Sequence, residues 1–161
     1  MNESHKSLFD EYMPRIMQCR LDDLVLQTPV QEMPALSERL GINVLIKRED
    51  LQPVFSFKLR GAYNKIRLMS ETERKAGIVA ASAGNHAQGV ALAAARLGIS
   101  ARVVMPRTTP AIKVDAVRRL GAEALLEGDA YDDAYRLARR IESDEGRCFV
   151  HPYDDLDVIA G

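Results

Sequence analysis

The chain has 161 residues, enough for one domain with a substantial core, or one domain plus a piece of another. Its 47% hydrophobic and 28% charged content is that of a soluble globular protein. A net charge of −1 and 6% aromatics supply neither the basic field nor the stacking rings that nucleic acid or an anionic membrane surface would need.

The N-terminal stretch MNESHKSLFDEY carries charge where a secretory leader would be apolar. The longest apolar run, VALAAA at 90–95, is too short to span a membrane, so the expected location is the cytoplasm. Cys19 and Cys148 form no Cys-x-x-Cys pair and read as two reduced thiols. Residues 5–26 have a helical pattern that Pro14 should break or kink. A short helix then ends at Gly41, 43–50 reads as a strand ending in charge, and a loop with Pro53 leads into a helix opening near Lys58.

From residue 77 the pattern becomes regular. GIVAAS (77–82), ARVVM (101–105), EALLE (123–127) and RCFV (147–150) read as four strands. Helical patterns at 85–97, 110–120 and 130–142 lie between them. Gly98 and Gly121 are placed as left-handed caps, and Thr109-Pro110 as an N-cap with a first-turn proline. This alternation predicts an α/β fold, a parallel sheet with helices on both faces. Spacing leaves the strand order open.

Two loops offer chemistry. In ASAGNHAQG, a strand ends at Ser82 and a helix begins near Asn85, which leaves backbone N–H groups free to hold an anion. Ser82 and Asn85 add polar side chains, and Gly84 allows close approach. The same residues are ordinary caps, and taken alone that is the weightier reading. His86 by itself suits a packed or an exposed histidine more than a catalyst, nothing stands at metal-ligand spacing, and a Gly-x-Gly-x-x-Gly fingerprint is missing. In PVFSFKLRGA, Lys58 follows apolar residues; a desolvated lysine there would be a nucleophile capable of a Schiff base, whereas spacing alone favours a solvated charge.

Together, KREDLQPVFSFKLRGA and SAGNHAQGVA, continued by ARVVMPRTTPAIKVDAVRRLGAE and HPYDDLDVIAG, resemble the fold type II pyridoxal-phosphate enzymes. The resemblance is to the threonine and serine dehydratases, above all to the biosynthetic members acting on threonine. It implies that Lys58 binds the aldehyde of pyridoxal 5'-phosphate covalently and that Phe57 packs on the pyridine ring. Ser82, Ala83, Gly84, Asn85 and His86 would bind the substrate carboxylate, with Asn85 also bonding the cofactor's phenolic oxygen. The implied reaction turns L-threonine into 2-oxobutanoate and ammonia, as in isoleucine biosynthesis, with Lys58 as the base at Cα and the cofactor phosphate supplying the proton for the leaving hydroxyl.

Serine racemases carry a second serine where this chain has Ala83, so elimination is expected and racemisation is not. The resemblance also divides the chain: 1–55 as an incomplete part of the large domain, 56–153 as a small α/β domain, and 154–161 as the return into the large domain. The family's glycine-rich phosphate loop is not found in this sequence, and the chain is expected to be inactive alone and a homo-oligomer at full length. A serine-preferring dehydratase and a non-catalytic α/β fragment are the alternatives.

Overall fold

The computed structural model describes residues 8–161. Helix α1 (Leu8–Gln18) runs through Pro14 instead of breaking there. The proline costs one helical hydrogen bond, and tertiary contacts offset it: Arg15 pairs with Asp157 at 2.9 Å and the Cys19 thiol donates to the Ala160 carbonyl. The start expected at residue 5 lies outside the described residues, and beyond Gln18 the pattern yields one turn, closed by Val25 N–H on Leu21 O at 2.8 Å.

Strands β1 (Val30–Glu32) and β2 (Leu45–Lys47) pair antiparallel around helix α2 (Pro34–Leu40). Pro34 opens that helix and Gly41, at φ 65°, closes it. The strand expected over 43–50 is cut to three residues because Glu49–Leu51 turns as a 3-10 helix. No alternation marks VQE, and all six residues of this small sheet are exposed.

Helix α3 (Lys58–Leu68) is followed by α4 (Glu71–Ala76), which opens on a capping box: Ser70 Oγ accepts from Glu73 N–H, and the Glu73 carboxylate from Ser70 N–H. Then come β3 (Ile78–Ala81), α5 (Asn85–Leu97), β4 (Ala101–Met105), α6 (Ala111–Arg119), β5 (Glu123–Leu126), α7 (Tyr131–Glu145), β6 (Cys148–Phe149) and α8 (Leu156–Ala160). The expected strands and helices are all present, with α7 starting one residue later and ending three residues later than expected. Gly98 and Gly121 have φ of 67° and 92°, and each carries the paired bonds of a glycine stop: Ile99 N–H to Ala94 O, Ala122 N–H to Val117 O. Thr109 is not the cap of α6. Pro110 occupies that position in an extended conformation, and the Thr109 hydroxyl is buried without a partner.

The four later strands form one parallel sheet in the order β5-β4-β3-β6. Strand β3 is buried along its whole length, as a central parallel strand covered on both faces must be. One face packs Ile78, Ala80, Val103 and Met105 against α3, α5 and α6; the other packs Val79, Ala81 and Val104 against Ala134, Ala138 and Ile141 of α7. Each fully buried valine or isoleucine contributes roughly 1.5–3 kcal/mol. The order runs outward from β3 to β5, and α7 then returns the chain to the opposite side of β3. The boundary between β3 and β6 is therefore where strand order reverses, and a crevice at the carboxyl ends of strands is expected there. Among the described residues, no helix is long and apolar enough to cross a membrane.

Candidate active site

The loop before α3 is built to deliver Lys58. Gln52 is buried and grips Leu26 at both ends, accepting from its N–H at 2.9 Å and donating to its carbonyl at 2.8 Å. Phe55 N–H then bonds Gln52 O at 2.7 Å, and Phe55 itself stands at φ 55°, a left-handed conformation that a bulky residue rarely adopts. Ser56 Oγ accepts from Lys58 N–H at 3.2 Å, so the helix starts at Lys58 itself. The lysine Nζ donates to the Pro152 carbonyl at 2.7 Å and lies 5.5 Å from the centre of the Phe57 ring. Among the described residues, Lys58 forms no ion pair with a carboxylate.

Helices α3 and α5 approach closely at their starts. A Cβ on Gly89 would lie 3.2 Å from the Leu59 backbone, a spacing that only glycine meets comfortably. This contact sets Lys58 beside the loop that follows β3. In that loop Ser82 Oγ accepts from Gly84 N–H at 3.2 Å, and α5 has Gly84 at its cap with no side-chain acceptor. Gly84 thus holds the cap position and Ser82 makes the turn, as the capping reading expects, but neither Ser82 nor Asn85 gives the helix a side-chain cap. The first-turn N–H groups stay available to an anion. Space around Gly84 is open, with nothing within 4 Å of a would-be Cβ, and Asn85 is exposed.

His86 is the buried member of the loop, 3% exposed. Its Nε2 lies 3.0 Å from the Val150 carbonyl, which can only accept, so Nε2 carries the proton and Nδ1 remains a bare lone pair without a partner. Burial, aided by the neighbouring Lys58 and His151, pushes its pKa down to about 4 despite the Val150 bond. It is a neutral imidazole at pH 7.

A cavity of about 300 Å³ opens at Lys58, lined by Phe57, Lys58, Gly61, Pro152 and Tyr153 with the end of α8. Lys58 and Phe57 thus share one wall. Ser82, Ala83, Gly84, Asn85 and His86 do not line this cavity; they connect to it through the segment after β6, which receives His86 at Val150 and Lys58 at Pro152. Sequence reasoning did not single out Gly61, His151, Pro152 or Tyr153. The signal lay in topology, because HPYD leaves the sheet at the carboxyl end of the strand beside β3.

Residues 21–161 match the family described as pyridoxal-phosphate dependent enzyme. Biosynthetic, chloroplastic threonine dehydratase 1 of Solanum lycopersicum is 53% identical over 151 residues, covering 94% of this chain and 25% of the relative. Biosynthetic L-threonine dehydratase of Pasteurella multocida is 51% identical over 151 residues, 94% of this chain and 29% of the relative. Among solved structures, the processed form of threonine deaminase isoform 2 from Solanum lycopersicum superposes with a TM-score of 0.91 at 46% identity, covering 98% of this chain and 46% of that one. Maize serine racemase superposes at 0.86 with 32% identity, covering 91% and 45%. The chain belongs to the pyridoxal-phosphate dependent enzyme family, and it spans 25% and 29% of the length of those two curated relatives.

Proposed function

We propose, from that family membership, that the chain is the lysine-bearing portion of an ammonia-lyase that converts L-threonine to 2-oxobutanoate and ammonia in isoleucine biosynthesis. The observation that carries the reading is the Lys58 amine, free of any carboxylate partner among the described residues, on the wall of a cavity beside the turn that follows β6.

Two features fit pyridoxal 5'-phosphate. Lys58 offers a primary amine to an aldehyde, and Phe57 offers a ring face beside it on the same cavity. When bound, the cofactor supplies an electron sink for negative charge at the amino-acid Cα, which allows a β-hydroxyl to leave.

The chain's own residues do the rest. Lys58 Nζ would hold the cofactor and, when released from it, would take the Cα proton. The uncapped start of α5 at Asn85, His86 and Ala87 receives the substrate carboxylate, helped by the polar groups of Ser82 and Asn85. Ala83 and Gly84 contribute backbone and space only. Neutral His86 does not repel an incoming ammonium, and its bond to Val150 fixes the helix start. Loss of water across Cα–Cβ leaves an enamine, whose imine tautomer is hydrolysed to the oxo acid and ammonia.

The division at 1–55, 56–153 and 154–161 belongs to the same reading; it is supported by the separate β1–β2 sheet and by a parallel sheet confined to residues 78–149. So do a homo-oligomeric full-length enzyme and a cytoplasmic location, where two free thiols stay reduced.

The test is direct. Mixing the chain with pyridoxal phosphate, reducing with borohydride and mapping peptides should place the label on Lys58, and Lys58→Ala should abolish it. Label on Lys65 or Lys113 instead would overturn the assignment.

A further inference from the structure

We propose that His151 is a positioning residue for Lys58: it braces the turn at 151–154 so that the Pro152 carbonyl tethers the lysine amine. The inference deepens the reading of Lys58 as the cofactor lysine and rests on it.

His151 Nδ1 accepts two backbone N–H groups, from Asp154 at 2.7 Å and from Tyr153 at 3.3 Å. A nitrogen that accepts carries no proton, so the ring's proton is on Nε2. This double cap folds the chain sharply after β6. Pro152 sits inside the fold of that turn, is buried, and has no N–H, so its carbonyl is its one polar backbone group. That carbonyl takes the Lys58 amine at 2.7 Å.

The His151 ring is itself held from both sides. It stands edge-on to Tyr153 at 4.6 Å and to Phe149 at 5.9 Å between centroids. Phe149 in turn meets Tyr135 of α7 at 5.5 Å, with the Arg139 guanidinium 5.0 Å from its ring centre. An aromatic ladder thus runs from α7 to Tyr153, which lines the Lys58 cavity. Upstream, the His86 bond to Val150 pins the same segment to the start of α5. The turn is fixed at both ends, and Lys58 hangs from its middle.

The experiment uses the full 161-residue chain without cofactor. Trace acetylation with isotopic anhydride, read by peptide mass spectrometry, reports the labelling of Lys58 relative to exposed Lys113. His151→Phe keeps the ring contacts and removes the acceptor; it should raise the Lys58:Lys113 ratio about tenfold, the factor that one charge-assisted hydrogen bond commands. His151→Ala should do the same, and if that chain unfolds the phenylalanine variant carries the test. His151→Asn, whose Oδ1 replaces Nδ1 as acceptor, should stay near the parent ratio, as a purely steric role would not require. An unchanged ratio in His151→Phe, or His151→Asn matching His151→Phe, overturns the proposal. Because labelling needs no cofactor, it reads the tether even if borohydride trapping falls on another lysine, a result that would sink the functional reading alone.

Discussion

Gly61 on α3 faces the backbone of Val158 on α8 with no room for a side chain between them: a Cβ on Gly61 would overlap the Val158 carbonyl oxygen. Gly161 closes the same contact from the other side, where a Cβ would fall 2.7 Å from Arg60 O and 2.9 Å from the Gly61 Cα. These two glycines bring the end of α8 against the first turns of α3 and so form one wall of the Lys58 cavity.

Gly61→Ala should therefore undock α8. Alanine gains about 1 kcal/mol of helix propensity, but overlap with backbone puts the displacement at the upper end of about 1–3 kcal/mol, so the net change is destabilising by up to about 2 kcal/mol. Gly89→Ala meets the Leu59 backbone at 3.2 Å, a milder encroachment, and should lose less. Urea denaturation of the two variants gives the ranking, and a Gly61→Ala midpoint at or above that of Gly89→Ala would contradict this account of the interface.

His86 makes the fold sensitive to mild acid. Its pKa is about 4 in the folded chain, chiefly through burial, against about 6.5 when unfolded. Between those values the unfolded state binds more protons, so stability is full above about 6.5 and falls as pH drops towards about 4, by about 3 kcal/mol in all. His86→Gln keeps an amide N–H for Val150 and does not titrate. The stability difference between parent and variant should close as pH falls from 7 to 5; a difference that stays constant would mean His86 does not titrate on unfolding.

Much of this architecture was legible because local and tertiary preferences agree. Short apolar runs bounded by Gly98 and Gly121 mark a parallel sheet with helical crossovers, and both glycines take positive φ as their places require. Pro14 misleads because propensity is local, whereas α1 is held by Arg15 and Cys19 contacts with the end of the chain, 142 and 141 positions away. Strand β1 escapes notice because an exposed VQE carries no apolar alternation. Lys58 and the 82–86 loop stand out by motif, while His151 and Pro152 act through a turn whose partner is 94 residues distant. Spacing along the chain holds no trace of such a contact.

The docking of α8 has an electrostatic part. Asp155 caps the helix, accepting from Asp157 and Val158 N–H at 2.8 and 3.0 Å, and its other oxygen meets Lys65 at 2.8 Å. Burial pushes the Asp155 carboxyl up, but Lys65 and the N–H groups outweigh it and hold the carboxyl below its usual range. Burial likewise pushes Lys65 down, and Asp155 outweighs it, leaving the amine above its ordinary value. The carboxylate's contribution is present above about pH 4 and is lost as pH falls through its lower folded value. The amine's contribution is present below about pH 10.4 and is lost as pH rises through its higher folded value. Asp155→Asn keeps an acceptor for the cap and should cost about 1–2 kcal/mol, between exposed and buried pairs. Asp155→Ala loses the cap as well, about 1 kcal/mol more. Equal melting temperatures for the two variants would show that the cap contributes nothing.

Ala83 bears on the choice of reaction. Inversion at Cα needs a proton donor on the face opposite Lys58, and the residue implied for that role in racemases is a serine where this chain has a methyl group. A missing general acid–base partner slows proton transfer by about 10²–10⁴-fold. In the proposed elimination Lys58 alone takes the Cα proton, so this difference leaves that step untouched. An enzyme carrying this chain, given L-serine, should therefore release oxo acid and ammonia with D-serine at no more than about 1% of product. Chiral chromatography of the recovered amino acid measures it. Ala83→Ser restores a hydroxyl beside Gly84, where space is open, and should raise the D-serine fraction without abolishing elimination. D-serine accumulating as fast as oxo acid in the parent enzyme would mean that another group protonates the opposite face, and the role given to position 83 would fall.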